Sequence, residues 1–340
     1  MKKIVTALIG YGLSGREFHL PQLLSNKHYK LKTVMTTDPK KQADLKSIQP
    51  NLQIATNYED ILNDTDIELV ILAVSNDVHF DYTKQALLKK KHVICEKPFV
   101  KTLEEATYLF ELAKKQGCLL RVFHNRKYDG DILTVEKLMT EKAFGKIVSF
   151  HARFDRFVPN IKQNWRYKQG HMSGIFYDLA PHLIHHAVRL FGKPVSVSNQ
   201  LFMDRPLSET DDHFELMLFY PSMTCFIGAE PYERSPIPKL KLVGTEASYV
   251  KFGFDQPEVI TTPQTMPFTD LPHHSHYIKA PGESELIPVL RGTHYLFYDT
   301  YYEDLMNENL KDEDEILALV VIEIMEKAMI SAVEKRIIKL

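Results

Sequence analysis

Apolar and polar positions alternate in blocks along the first third of the chain. Ile4 to Ile9 is a short apolar, β-branched run, the pattern of a strand buried on both faces. A glycine turn follows, then a helix-compatible stretch from Arg16 to Leu24. Leu31 to Thr37 reads as a second strand, and the continuous run Leu69 to Val74 as a central one. His92 to Cys95 and Leu119 to Phe123 are shorter strand candidates. Between these two, Thr102-Leu103-Glu104-Glu105 has the form of a capping box, opening a helix that Gly117 closes. Such alternation predicts an α/β fold with a doubly wound parallel sheet.

Beyond residue 123 the period changes. Ile147 to Phe154, Val195 to Phe202, His213 to Tyr220 and Met223 to Ala229 read as strands, several with strict alternation. Lys239 to Gly244 and Ser248 to Phe252 form a candidate hairpin, and the proline-rich, polar stretch Asp255 to Gly282 reads as a long loop. Asp312 to Leu340 reads as a terminal helix, acidic at its start and basic late, with Ile316, Leu319, Val320 and Glu323 at helical spacing. The expectation is an N-terminal Rossmann domain over residues 1–123 and a C-terminal α+β domain over 124–340, the latter an open, largely antiparallel sheet with helices on one face. The length of 340 residues agrees with two domains, since single cores stop growing near ~250–300 residues. An open sheet leaves a face to be covered, so a homodimer or homotetramer is expected.

Composition narrows the classes. A net charge of −2 gives no global electrostatic reason to bind nucleic acid or an anionic membrane surface. No apolar run reaches the ~20 residues needed to cross a bilayer, and the run after Lys2 and Lys3 is broken by Gly10 and Gly12, unlike a secretory signal. Cys95, Cys118 and Cys225 are odd in number and scattered, which argues against a disulfide framework and for a cytoplasmic protein.

Gly10-Tyr11-Gly12-Leu13-Ser14-Gly15 stands between a strand and a helix, the context that gives a GxGxxG motif its meaning. Gly10 permits a tight turn, Gly12 a close approach of backbone to a pyrophosphate, and Gly15 close helix–strand packing. Cofactor choice rests at the end of the second strand. Asp38 there is either the acid that binds a ribose 2′-hydroxyl, favouring NAD, or the start of the next helix with Pro39. In the second register the neutral Thr36 and Thr37 face the ribose and Lys40 or Lys41 reaches a 2′-phosphate, so that NADP is preferred.

Cys95-Glu96-Lys97-Pro98 closes the short strand begun at His92. Ser75-Asn76-Asp77-Val78-His79 follows the central strand, Asn164-Trp165-Arg166 holds the single tryptophan, and Asp178-Leu179-Ala180-Pro181-His182 forms a DxxxH. In this order, after GxGxxG, the motifs resemble those of the Gfo/Idh/MocA oxidoreductase family. Arg291 to Leu305, rich in tyrosine, is similar to that family's late helix. Phe123-His124-Asn125-Arg126 and Phe154-Asp155-Arg156-Phe157 look most like a bacterial subgroup that includes NADP-dependent scyllo-inositol dehydrogenases. The resemblance implies an NAD(P)-dependent dehydrogenase acting on a sugar or cyclic polyol. It implies a catalytic trio of Lys97, Asp178 and His182. Its implied cofactor site takes in Gly10, Gly12, Leu13, Ser14, Gly15, Thr36, Thr37, Ser75, Asn76, His79, Glu96, Lys97, Asn125, Trp165 and Arg166. The chain departs from the family pattern in having few glycines over Gly170-His171-Met172-Ser173-Gly174, in Pro181, and in His185 where an acid is frequent.

The residue types suit the chemistry. Oxidising a secondary alcohol needs a base for the hydroxyl proton while hydride leaves carbon, and imidazole titrates near neutral pH, which suits His182. On a helix, Asp178 shares a face with His182, unless Pro181 marks the helix start and breaks that spacing. Lys97 would stabilise alkoxide character. His182, His185 and His186 invite a metal reading, but helical metal pairs need a carefully placed third ligand and the resemblance implies no metal, so none is expected. His273, His274 and His276 fit a surface loop better than a ligand set. Tyr301 and Tyr302 either reach the site or pack in the core. The alternative function is a non-catalytic NAD(P) sensor on the same scaffold, to which an intact trio would be superfluous.

Overall fold

The computed structural model describes residues 2–161, 165–235, 237–253, 274–307 and 313–340. The chain divides into two compact units. The first holds the described residues up to Asn125 together with those of Thr293–Ile316; the second holds the other described residues from Arg126 onward. The chain therefore passes between units more than once, where the hydrophobic pattern suggested a single cut after residue 123.

In the first unit, strands β1 (Ile4–Ile9), β2 (Tyr29–Met35), β3 (Gln53–Ala55), β4 (Leu69–Leu72), β5 (His92–Cys95) and β6 (Leu120–Val122) are joined through helices α1 (Leu20–Ser25), α2 (Pro39–Ile48), α3 (Tyr58–Asn63), α4 (His79–Leu88) and α5 (Leu103–Gln116). All the strand pairings are parallel, and the order is β3-β2-β1-β4-β5-β6. That is the doubly wound dinucleotide order, with its switch point between β1 and β4. All four residues of β4 are buried, as a central parallel strand requires. The capping box of α5 is present in both directions, and Gly117 closes the helix at φ +67°. Strand β3 was not anticipated, because three residues carry no period. Helix α8 (Leu296–Met306) completes this unit. Its tyrosines belong to the core: Tyr301 donates to the Leu119 carbonyl at 3.0 Å, and the Tyr298 carbonyl accepts from the Tyr29 hydroxyl at 2.7 Å.

The second unit is built on a mixed, largely antiparallel sheet. Its strands are β7 (Ile147–Arg153), β8 (Ser196–Phe202), β9 (His213–Phe219), β10 (Thr224–Ala229), β11 (Leu240–Gly244), β12 (Ser248–Lys251), β13 (Ser275–Ala280), β14 (Glu283–Ile287) and β15 (Ile338–Lys339), in the order β14-β13-β12-β11-β7-β10-β9-β8-β15. Among the described residues of this sheet, only β7 and β10 pair in parallel. Helices α6 (Gly130–Glu141), α7 (Ile175–Phe191) and α9 (Glu313–Glu334) supply core residues such as Val135, Phe176, Leu183, Ile184 and Ile324. These join the alternate strand positions Phe150, Leu216, Leu218, Ile227 and Leu242. The opposite sheet face carries the half-buried Ser149, His151, Met217, Phe219 and Phe226.

Three expectations for this unit are corrected. The expected loop Asp255 to Gly282 is strand from Ser275 to Ala280, pairing with both neighbours; residues 254–273, His273 among them, lie outside the described residues. His276 thus sits in a strand, and Val250 pairs with it. The terminal helix stops at Glu334, and Ile338–Lys339 pairs with β8; Asp312 lies outside the described residues. The buried stripe of α9 is Ala318, Val321, Ile322, Met325 and Ala328, while Ile316 is exposed. Almost every position from Ile316 to Ile324 is apolar, so spacing alone does not select the inward face.

Candidate functional site

The first unit presents the ends of its parallel strands as a set. In such sheets ligands bind outside the carboxyl ends of the strands, at the switch point. After β1, Gly10 has φ +99°, and a Cβ there would overlap the Ala73 carbonyl oxygen. At Gly15 a Cβ would overlap the Gly10 carbonyl oxygen. A Cβ on Gly12, by contrast, meets nothing within 4 Å, so its backbone faces open space. A tight turn, a close helix and an uncovered central glycine fit a dinucleotide pyrophosphate. Leu13, beside it, is 64% exposed. The helix then opens with one wide turn, Gly15–His19, in which the Leu20 amide bonds the Gly15 carbonyl.

The end of β2 shows the local role of Asp38. The strand stops at Met35, and Asp38 is the N-cap of α2: its carboxylate accepts from the Lys40 amide at 2.9 Å, with Pro39 in the first helical position. Thr36 is buried and Thr37 exposed. A groove of about 510 Å³ runs beside this end, lined by Tyr11, Gly12, Leu13, Arg16, Lys40 and Lys41 among others. Tyr11 donates to Asp44 there at 2.9 Å.

After β4, Ser75 leads into the single turn Asn76–Val78, and Asn76 is buried. His79 is fully buried, and its Nδ1 lies 2.8 Å from the Pro98 carbonyl and 3.2 Å from that of Phe99. Burial holds its imidazole below the ordinary range, so the ring is neutral and Nδ1–H donates. Its ring thereby anchors the loop after β5 and turns no atom to solvent. On that loop Lys97 is half-buried and Glu96 is 7% exposed. Glu96 Oε1 accepts from the Ser14 hydroxyl and lies 3.1 Å from His19 Nε2; Oε2 accepts from the Lys97 amide at 3.1 Å. Burial pushes this carboxyl up, but His19, Lys97 and Ser14 together outweigh it and hold it below the usual carboxylate range. At the end of β6, Asn125 is buried, 3.5 Å from His294 Nδ1.

The second unit carries the other residues. Asn164 lies outside the described residues, and Trp165–Tyr167 forms a single turn. Arg166 donates from Nε to Asp178 Oδ2 at 2.8 Å. Helix α7 starts at Ile175 and runs unbroken through Pro181, which settles the spacing: Asp178 and His182 stand one turn apart on one helix. Pro181 gives up one bond inside the helix, to the Tyr177 carbonyl. Backbone shape marks the lead-in at two positions. Gly174 has φ +99°, and a Cβ there would overlap the Asp211 carboxylate; Met172 takes φ +49° in place of a glycine. Asp211, which sequence reading missed, caps the helix by accepting from the Phe176 amide at 2.7 Å. Burial pushes its carboxyl up to about 6, against these hydrogen bonds. His186 is buried, with Nε2 3.0 Å from the Arg126 carbonyl, and burial lowers its imidazole to about 4. His185 is buried beside it on the same helix. Among the described residues, no three His, Cys, Asp or Glu side chains are grouped to hold a metal.

A 3-2-1-4-5-6 parallel sheet with a glycine turn at its switch point defines a dinucleotide-binding oxidoreductase scaffold. Comparison with known proteins agrees. Residues 4–124 match the oxidoreductase family with an NAD-binding Rossmann fold, and residues 132–250 match the GFO/IDH/MocA C-terminal domain. The chain belongs to the GFO/IDH/MocA oxidoreductase family. It is 31% identical to scyllo-inositol 2-dehydrogenase (NADP(+)) IolW of Bacillus subtilis, over 99% of this chain and 96% of that one. It is 37% identical to the uncharacterized oxidoreductase YdgJ of Escherichia coli, over 75% and 73% of the two chains. Among solved structures, yvaA from Bacillus subtilis superposes with a TM-score of 0.91 at 30% identity, covering 100% and 99%. No helix among the described residues is long and apolar enough to cross a membrane.

Proposed function

We propose that this oxidoreductase is an NADP-dependent dehydrogenase that interconverts a secondary alcohol and a ketone on a sugar or a cyclic polyol of the inositol kind. The observation that carries the cofactor choice is the capping role of Asp38. Its carboxylate is engaged by the α2 backbone, and the adjoining groove is lined by Lys40, Lys41 and Arg16. A 2′-phosphate there meets Lys40, Lys41 and Arg16, while the two acids of the lining are engaged, Asp44 by the Tyr11 hydroxyl and Glu17 by Arg16 at 3.4 Å. One charge-assisted contact is worth about 1.5–3 kcal/mol, tenfold or more in affinity. The whole-length relative in Bacillus subtilis, named as an NADP(+) enzyme, supports the same reading.

Gly12, Leu13, Ser14 and Gly15 would hold the pyrophosphate, Thr36 and Thr37 the ribose, and Ser75, Asn76, Glu96, Lys97 and Asn125 the nicotinamide half. The family resemblance adds Trp165 and Arg166 to the residues expected at the cofactor. When bound, the nicotinamide accepts or returns the hydride. His182 takes the hydroxyl proton in oxidation and returns it in reduction. Asp178, held by Arg166, orients substrate or His182, and Lys97 stabilises negative charge on the reacting oxygen. The protein works as a homodimer or homotetramer through the open sheet face that carries His151, Met217, Phe219 and Phe226. Three buried free cysteines accord with a reducing, cytoplasmic setting.

The deciding experiment supplies NADP and NAD with a panel of inositols and aldoses, followed at the nicotinamide absorbance band. NADP-linked oxidation of at least one polyol is expected. Tight cofactor binding with no turnover across the panel would favour a sensor. Sedimentation at micromolar concentration is expected to show an oligomer, and a monomer would refute the interface.

A further inference from the structure

The first unit contains a buried hydrogen-bonded chain that runs from α8 to the loop after β5. The Tyr298 hydroxyl lies 2.7 Å from His19 Nδ1, and His19 Nε2 lies 3.1 Å from Glu96 Oε1. His19 and Tyr298 are both fully buried. The proton positions follow from chemistry. Glu96 is an acceptor held ionised, so Nε2 must carry hydrogen. Burial keeps the Tyr298 phenol far above its ordinary range, so it stays protonated and pairs with His19 Nδ1. The Phe123 ring packs 4.2 Å from the imidazole and fixes its plane. His19 itself falls in the wide turn Gly15–His19, and single turns of this kind inside helices are rare and concentrate at functional sites.

We propose that His19 is a positioning residue: braced by Tyr298, it holds Glu96 as a fixed anion that ties Lys97 to the glycine-rich turn. The inference rests on reading Glu96 and Lys97 as part of the dehydrogenase site. The geometry makes the link physical. Glu96 receives Ser14 from the turn, His19 from the helix that follows, and the Lys97 amide from its own loop. The other titratable groups facing it are the Lys97 ammonium, the Tyr298 phenol, the neighbouring Cys95 thiol and the His79 imidazole of α4. Of these, His79 and Cys95 are neutral, His79 lowered and Cys95 raised by burial. With His19 removed, the carboxylate keeps the Ser14 hydroxyl, the Lys97 amide and the Lys97 charge against nearly complete burial. Support for an active-site group by locked neighbours of this kind sets its geometry and protonation.

The test uses full-length protein labelled with ¹³C at the glutamate δ-carboxyl, with Glu96→Gln assigning the resonance. Loss of one charge-assisted hydrogen bond moves a carboxyl titration by about one to two pH units. In His19→Phe the Glu96 midpoint is therefore expected to rise by about that much, with kcat falling more than cofactor affinity. His19→Gln, whose amide N–H reaches the same oxygen, is expected to recover most of both. Tyr298→Phe removes a single oxygen atom and tests the chain if His19→Phe does not fold; a smaller rise in the same direction is expected. An unchanged Glu96 titration in His19→Phe, or in Tyr298→Phe where that stands in, overturns the proposal. So does His19→Gln matching His19→Phe in both readouts. If the titration moves as expected and the parent protein turns over no polyol, the chain stands and the dehydrogenase reading falls.

Discussion

Replacing Asp131 by Asn perturbs a deeply buried ionic cluster of the second unit. Asp131 and Asp129 are both fully buried at the start of α6. Asp131 pairs with Lys239 and lies 3.7 Å from the Lys251 ammonium, and Lys239 lies 3.5 Å from Asp129. Lys251 also donates to the Gly253 carbonyl at 2.7 Å. Two buried lysines, with Arg126 at 2.9 Å from Asp129, thus face two buried carboxylates, and the amide removes one of those two negative charges. Removing one partner from such a set costs about 3–5 kcal/mol, because the remaining charge has lost both water and its counter-ion. At about 2–4 °C per kcal/mol for a unit of this size, the melting transition should fall by about 6–20 °C. The pH dependence fixes the cause. Burial pushes the Asp131 carboxyl up, but Lys239 and Lys251 prevail and hold it below the ordinary range. A carboxyl depressed on folding contributes stability above its unfolded pKa, and that contribution is lost as pH falls toward the folded value. The gap between parent and variant is therefore expected to be constant near neutrality and to narrow below about pH 4. Thermal melts of both proteins across this range are the assay. A variant melting within 2 °C or so of the parent at pH 7 would refute the reasoning.

Lys97→Met and His182→Ala are each expected to remove most of kcat with cofactor affinity largely kept; near-parent turnover in either variant takes that residue out of the mechanism. Replacing Lys40 and Lys41 together by Ala should weaken NADP binding about tenfold or more while leaving NAD affinity unchanged, as read by fluorescence titration. Asp38→Ser should leave the cofactor order intact, since serine also caps a helix; a reversal toward NADP from a parent that prefers NAD would mean that Asp38 reads the ribose. Asp211, with its carboxyl raised by burial to about 6, binds its proton more tightly folded than unfolded. Its stabilising contribution is therefore present below the unfolded pKa and lost as pH rises through about 6, and in Asp211→Asn this component of the pH–stability profile should vanish.

The first unit was legible because its rules are local. A parallel strand buried on both faces must be apolar throughout, so Ile4–Ile9 and His92–Cys95 stand out with their observed limits, and a glycine turn between strand and helix has few uses. The strands of the second unit were legible from alternation, which reports a sheet with one covered face. Asp38 was ambiguous in sequence, since an acid before proline suits either a ribose or a cap; the structure shows the cap, with the Lys40 amide at 2.9 Å. Residues whose meaning lies in a distant partner were not legible. His19 reads as an ordinary helix residue, yet its partners stand 77 and 279 positions away. Asp211 caps a helix that begins 36 residues before it in the chain, and β13 pairs with β12 from beyond residue 273. The inward face of α9 was open for a related reason, since an almost wholly apolar segment needs neighbours to select its stripe. Periods and turns are written in neighbouring residues, whereas charge pairing and helix rotation depend on which surfaces the folded chain brings into contact, and only the tertiary structure decides that.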